Sequence, residues 1–207
     1  MMAKEGIPFI VLFLIPTAVF AVIGWWIAAG ACLLLAVFMA YFFRDPERNC
    51  PVDDRIIVSP ADGRVVAVAQ VEPGVKESPT QVSIFLSPMD VHINRSPMAG
   101  EIVEVVYKPG AFHIASRDIA SVENEQNIIT VRGARTTVVV RQIAGVLARR
   151  VVLWKKKGDH VKMGERIGLM KFSSRMDVVA PPEVEVLVKP GERVTGGVTV
   201  IGRINCD

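Results

Sequence analysis

A serine pair, Ser173-Ser174, stands between Phe172 and Arg175 near the C-terminal end of the chain. Serine hydroxyls at a tight turn ordinarily hydrogen-bond the local backbone, and that is the plain reading of the motif. The alternative is that the Ser173–Ser174 peptide bond is itself a substrate, in a reaction of the chain on itself that turns Ser174 into a cofactor. Serine is a weak nucleophile, so such a reaction needs a base and a group that orients the base. Three histidines are available, His92, His113 and His160. His92, in Asp90-Val91-His92-Ile93-Asn94-Arg95-Ser96-Pro97, is one candidate base, and Asp62, in Pro60-Ala61-Asp62-Gly63, one candidate orienting partner. Each also has a plain reading: a structural or surface histidine, and a turn aspartate before glycine. His160, in Gly-Asp-His-Val, reads as an exposed turn. His113, in Ala-Phe-His-Ile-Ala, reads as a half-buried side chain able to line a pocket. Cys32, Cys50 and Cys206 lack metal-ligand spacing, so neither a metal site nor a disulfide framework is implied, which suits a reducing cytosol.

The elements that must position these residues fall into two textures. Residues 7–43 contain no charged side chain. One helix of that length would measure about 55 Å against a hydrocarbon core of about 30 Å. Two short helices fit better, with Gly24-Trp25-Trp26 near the middle and tryptophans at the membrane interface. The run is too long for a signal peptide's apolar region. Lys4 precedes it and Arg44 and Arg48 follow, so a hairpin with both ends cytosolic is expected. The competing arrangement is one long tilted helix. Arg44, Arg48 and Arg55, interleaved with Asp45, Glu47, Asp53 and Asp54, read as a membrane-flanking segment whose basic members favour anionic headgroups. The formal net charge of +3 is too small to argue for nucleic acid.

After Pro51 the texture is β. Segments 64–71, 81–86, 101–107, 128–132, 136–141, 151–154, 167–171, 176–179, 184–188 and 198–204 are rich in β-branched residues and separated by glycine- and proline-bearing turns. This pattern predicts an all-β sandwich or barrel. Only 116–125 suggests a helix. Ser59-Pro60-Ala61-Asp62-Gly63-Arg64-Val65-Val66 is echoed by Ser96-Pro97-Met98-Ala99-Gly100-Glu101-Ile102-Val103 and, more loosely, by residues 180–186. The echo fits either duplicated half-barrels or a common way of building such turns.

Residues 157–197 resemble the biotinyl/lipoyl carrier domain, a flattened β-barrel that presents a modified lysine on a hairpin tip. Ser173 and Ser174 stand at the place of that lysine, with Lys171 close by. A membrane-tethered carrier or adaptor without catalysis is therefore a second reading. A structural membrane fusion subunit would need a long coiled coil, and no sustained heptads occur.

Five segments in order give a stronger resemblance: Phe43-Arg44-Asp45-Pro46-Glu47-Arg48, Pro60-Ala61-Asp62-Gly63, Asp90 through Pro97, Ala120-Ser121-Val122-Glu123-Asn124-Glu125, and Phe172-Ser173-Ser174-Arg175-Met176-Asp177. They are similar to the short, membrane-anchored, archaeal-type form of the phosphatidylserine decarboxylase family, over nearly the whole chain. The resemblance implies a mainly β fold, a flattened lipoyl/biotinyl-like barrel or sandwich, behind an N-terminal hydrophobic helical hairpin. It implies an anchoring region over 1–48 and a decarboxylase domain over 49–207. It further implies a precursor that cleaves itself between Ser173 and Ser174 into a β chain ending at 173 and an α chain 174–207. Ser174 would become a covalent pyruvoyl group, with His92 and Asp62 completing a Ser-His-Asp arrangement. The pyruvoyl ketone would take the amine of phosphatidylserine and accept the electrons freed as carbon dioxide leaves, giving phosphatidylethanolamine. Arg95 is a candidate for the lipid phosphate and His113 for the substrate pocket. No metal is implied. The expected partners are phosphatidylserine, the bilayer and the two chains of one precursor, with a homo-oligomer left open. The expected location is the cell membrane, with the catalytic domain on the cytoplasmic side. The sequence departs from the family at Ser173, where glycine is usual. Histidine decarboxylase, another pyruvoyl enzyme, resembles this site in cleaving between two serines.

Overall fold

The structure, a computed structural model, describes residues 1–75, 77–115, 119–146, 151–172 and 174–205. The chain divides into two compact units, Met1–Glu47 and Arg48–Asp207.

In the first unit a single 3-10 turn leads into α1 (Ile7–Val22), and the chain reverses into α2 (Trp26–Phe42). Gly24 makes the reversal at φ +78°, a left-handed conformation with no Cβ to clash. Both ends of the hairpin are fastened together, because Ala3 N–H donates to the Phe43 carbonyl at 2.9 Å and Met2 bridges Arg44. Phe9 stacks on Phe43, with ring centroids 5.3 Å apart. The outward faces are apolar: Leu12, Ile15, Val22, Trp26, Ile27 and Leu34 are all exposed. Such a surface is stable only against another apolar phase. The helical stretch Lys4–Val22 is long and apolar enough to cross a membrane, while Trp26–Phe42 is apolar but shorter. The hairpin expected from Gly24-Trp25-Trp26 is the one observed.

The second unit is built from β1 (Ile56–Val58), β2 (Gly63–Gln70), β3 (Thr80–Leu86), β4 (Ile93–Arg95), β5 (Gly100–Lys108), the single-turn α3 (Ala120–Glu123), β6 (Gln126–Arg132), β7 (Thr137–Ile143), β8 (Val151–Leu153), β9 (His160–Val161), β10 (Arg166–Met170), β11 (Ser174–Ala180), β12 (Val184–Val186), β13 (Arg193–Val194) and β14 (Val200–Ile204). An eight-stranded antiparallel sheet runs β13-β2-β3-β11-β7-β6-β5-β9, beside two three-stranded sheets, β4-β10-β8 and β1-β14-β12. Register shifts in β2 at Val65/Ala67 and in β5 at Ile102/Glu104 bend the large sheet into a curled half-barrel. One core joins all three sheets: Ile84, Val140, Met176 and Val178 from the large one, Ile167 and Met170 from the second, Ile57 and Ile201 from the third. The expected helix over 116–125 is only one turn, and its residues 116–118 lie outside the described residues.

The sequence echo is a repeated structural unit. Ser59 Oγ donates to the Ala61 carbonyl and Ser96 Oγ to the Met98 carbonyl, each at 2.7 Å. The Ser59 carbonyl accepts from Gly197 N–H and the Ser96 carbonyl from Gly164 N–H, each at 2.8 Å. Gly197 (φ +74°) and Gly164 (φ +72°) adopt the same left-handed conformation. The following strands β2 and β5 each pair with a two-residue strand, β13 and β9. The two segments therefore share one turn geometry and one manner of entering a strand. Residues 180–186 lack the serine, and their strand β12 pairs with β14.

One local expectation changes. Strands β10 and β11, which flank the serine pair in the sequence, do not pair with each other as a hairpin. β10 pairs with β4 and β8, and β11 pairs with β3 and β7, so the intervening residues form a corner between two sheets. Only Lys171, Phe172 and Ser173 separate the two strands, and Phe172 turns the corner at φ +50°. A non-glycine residue there is strained, and such strain persists only where the surroundings over-determine it.

Candidate active site

Ser174 is the first residue of β11 and pairs with Leu86. It is fully buried, and its hydroxyl has no hydrogen-bond partner among the described residues. A buried hydroxyl without a partner costs about 1–3 kcal/mol and is uncommon in folded proteins. Ser173 lies outside the described residues.

His92 is brought to the corner by backbone pairing. Met170 N–H, at the end of β10, donates to the His92 carbonyl at 3.2 Å. The imidazole is fully buried, and its Nδ1 lies 3.0 Å from the Asp90 carbonyl oxygen. A carbonyl can only accept, so Nδ1 carries a proton, and in the neutral ring Nε2 then holds the lone pair that a base needs. Asp90 in turn accepts from Ser87 N–H at 2.9 Å and is ion-paired with Arg193. The part Asp90 plays in setting the tautomer, through its backbone, was not readable from its side-chain type.

Asp62 lies in the first copy of the repeated turn. Its carboxylate accepts from Gly196 N–H and from Arg48, each at 2.7 Å. The turn is joined to the His92 segment by the backbone, because Arg95 N–H donates to the Pro60 carbonyl at 2.8 Å. The Arg95 side chain is buried, and its guanidinium donates to the Gly164 carbonyl at 2.9 Å. Gly197 packs on its Cδ so closely that a Cβ there would come within 2.9 Å. Cys50 lies on the same patch, where burial pushes its thiol pKa up and the charge of Arg95 opposes that. An apolar cavity of about 400 Å³ opens there, lined in part by Cys50, Met98, Ala99 and Met163. Ala99 is the repeat's counterpart of Asp62.

Two polar groups found here were not singled out from the sequence. The first is an amide chain in the core. Asn127 Nδ2 donates to Gln142 Oε1 at 3.0 Å, and Gln142 Nε2 donates to Asn94 Oδ1 at 2.8 Å. Gly168 makes this possible, since a Cβ there would lie 2.7 Å from Gln142 Nε2. The second is on the opposite face of β11. Arg175 Nε donates to Asp177 at 2.6 Å, Arg175 Nη2 to Ser83 Oγ at 2.6 Å, and Ser121 Oγ to Asp177 at 3.1 Å. The signal for this pair was the i, i+2 spacing of opposite charges on one strand face.

His113 is more exposed than its half-buried reading. Its Nε2 faces Glu123 at 3.0 Å, and its backbone is clamped by the buried Asn124 side chain, which also reaches the Ala144 carbonyl. His160 is exposed on the short β9. Among the described residues no group of histidine, cysteine or carboxylate side chains could hold a metal ion.

A family model described as phosphatidylserine decarboxylase matches residues 35–202. The chain is similar to the phosphatidylserine decarboxylase proenzyme of Solibacter usitatus, 54% identical over 83% of this chain and 81% of that protein. It is 49% identical to the protein of the same name from Symbiobacterium thermophilum, over 98% of this chain and 95% of that one. A third, from Magnetococcus marinus, is 39% identical over 99% of this chain and 95% of its own.

Proposed function

The chain belongs to the phosphatidylserine decarboxylase family, and from that premise we propose that it converts phosphatidylserine to phosphatidylethanolamine with a pyruvoyl group made from its own Ser174. The observation that carries this is the buried Ser174 hydroxyl, unpartnered among the described residues, at a corner that Phe172 turns in a strained conformation. An oxygen in that setting is neither solvated nor satisfied, which suits a nucleophile and a group built in place.

In the self-cleavage, Ser174 Oγ attacks the carbonyl carbon of Ser173. The C–N bond breaks, the amine takes a proton, and an ester replaces the amide. Loss of the Ser174 α-proton then expels the Ser173 carboxylate and leaves dehydroalanine, whose hydrolysis releases ammonia. The β chain ends at 173 and the α chain begins at 174. His92 takes the hydroxyl proton at Nε2, since the Asp90 carbonyl holds the proton of Nδ1. Asp62 supplies the negative charge of the arrangement from a turn tied by Pro60 to the His92 segment.

The pyruvoyl group supplies an electron sink for the pair freed when carbon dioxide leaves. His92 stays in place at the corner and returns a proton to the product. Arg95, with its guanidinium on the Gly164 carbonyl and its backbone N–H on the Pro60 carbonyl, ties the two repeated turns together and remains the basic residue assigned to the lipid phosphate. The α1–α2 hairpin keeps the chain at the bilayer where its substrate resides. Lys4 and Arg44 belong to the hairpin's fastened ends, which favours the cytoplasmic side for them and for the residues that follow.

The test is release of labelled carbon dioxide from serine-carboxyl-labelled phosphatidylserine in mixed vesicles. Wild-type protein is expected to release it and Ser174→Ala to release none. Equal release by both would overturn the assignment.

A further inference from the structure

Ser174 Oγ is not the only buried polar atom left over in this core. Asn94 is fully buried, and its Nδ2 has no hydrogen-bond partner among the described residues. The orientation of that amide follows from its neighbours. The Val152 carbonyl, 3.4 Å from Gln142 Nε2, can only accept, so the Gln142 nitrogen is on that side. The same nitrogen meets Asn94 at 2.8 Å, so Asn94 turns its oxygen toward Gln142. Asn127 Nδ2 then meets Gln142 Oε1, which closes the chain of donors consistently. The Asn94 N–H₂ group is left directed away from the chain that satisfies its oxygen.

Strand register relates Gln142, which holds Asn94, to the serine. Gln142 on β7 lies opposite Met176 on β11, so the two side chains share a face. Ser174, two residues before Met176, projects from that same face. Ser174 and Gln142 are therefore diagonal neighbours, a relation that spans about 7–8 Å. Asn94 hangs on Gln142. Two buried, unsatisfied polar groups thus bear on one side-chain row of the large sheet: the Ser174 oxygen from β11 and, reaching that row through Gln142 from β4 of the neighbouring sheet, the Asn94 N–H₂ donor.

We propose that Asn94 is the donor that stabilises the negative oxygen formed on the Ser173 carbonyl when Ser174 attacks it, with Gln142 as the positioning residue that aims it. This rests on the self-cleavage reading above. Attack turns the planar carbonyl into a tetrahedral carbon bearing O⁻, and a prearranged N–H donor then gains a strong hydrogen bond that the resting amide does not need. The cost of burying an unmatched donor in the precursor is recovered as that charge develops.

Asn94→Asp tests it with the smallest change, because the carboxylate still accepts from Gln142 but cannot donate. Asn94→Ala removes both functions. Appearance of the 174–207 fragment is followed by intact-mass spectrometry after synthesis of the full chain, with hydroxylamine added in parallel to cut any ester already formed. Both variants are expected to cleave about 10²–10³-fold more slowly than wild type. Hydroxylamine is expected to release no extra fragment from them, since the ester itself fails to form. Cleavage within threefold of wild type overturns the proposal. So does full release by hydroxylamine, which would move the role of Asn94 past the acyl shift. Loss of the cooperative unfolding transition in both variants also overturns it and makes Asn94 structural. If cleavage persists in Ser174→Ala, or wild type never cleaves, the parent reading has failed as well. Ser174-dependent cleavage that ignores Asn94 removes this inference alone.

Discussion

Met170 N–H donates to the His92 carbonyl at 3.2 Å, and this one hydrogen bond sets the histidine against the last residue of β10. Four positions later Ser174 opens β11 in a different sheet. The candidate base and the candidate nucleophile are therefore held by strands on either side of the corner that Phe172 turns. Replacing His92 by alanine leaves the backbone bond intact and removes the ring. The expected result is self-cleavage slowed by about 10²–10⁴-fold, read as the rate of appearance of the α chain on denaturing gels. His92→Gln is expected to be equally slow, because glutamine has no basic nitrogen.

Asp62 separates charge from hydrogen bonding in a useful way. Asp62→Asn can still accept from Gly196 N–H but loses its charge and its ion pair with Arg48, whose side chains are each partly exposed. Stability is expected to fall by only about 1 kcal/mol or less. Cleavage is expected to fall several-fold more than that loss of stability accounts for, because the negative charge tied to the His92 segment is gone while Nδ1 keeps the Asp90 carbonyl. Thermal unfolding and the cleavage rate measured on the same sample separate the two.

The buried Arg175–Asp177 pair is a question of stability. Asp177→Ala leaves the Arg175 charge buried beside Ser83 with nothing to balance it. A loss of about 3–5 kcal/mol is expected in urea unfolding. The double replacement Arg175→Met with Asp177→Leu is expected to recover most of it, since the charge and its partner leave together.

The pH response of the fold has a local marker in Glu165. Burial raises its carboxyl, but hydrogen bonds from the Lys155 side chain and the Lys162 backbone, with the charges of both lysines, bring it net below its ordinary value of 4.5. A depressed pKa contributes stability above the unfolded value, and that contribution disappears as pH falls through the folded one. The melting temperature of wild type is therefore expected to drop more than that of Glu165→Gln between pH 5 and about pH 3. Parallel curves would show that the carboxylate's partners contribute nothing.

The β texture, the helical hairpin and the serine pair were legible because each has a local signature: β-branched runs, an uncharged stretch broken by glycine, and a motif. The short strands β1, β4, β9 and β13 were not, since two or three residues carry no periodicity and form only because partners such as β14 and β10 are already placed. The corner was read as a hairpin because adjacent strands joined by a short link usually pair with each other. Here β3 and β7 had already taken both edges of β11. Asn94, Asn127 and Gln142 look like ordinary polar residues in strands, and only the packing of Gly168 against Gln142 reveals that they are a buried chain. The Ser-Pro echo is visible in the sequence, but the shared turn geometry depends on Gly164 and Gly197, distant in sequence, which donate to the two serine carbonyls in the same way.

The central claim is that Ser174 is consumed to make the cofactor. Intact-mass spectrometry of protein purified from membranes tests it most directly. Wild type is expected to give two chains, one ending at Ser173 and one of residues 174–207 whose first residue has become a pyruvoyl group. Ser174→Ala is expected to remain a single 22.6 kDa chain. An uncut wild-type chain with an ordinary serine at 174, in a preparation that still decarboxylates phosphatidylserine, would contradict the account.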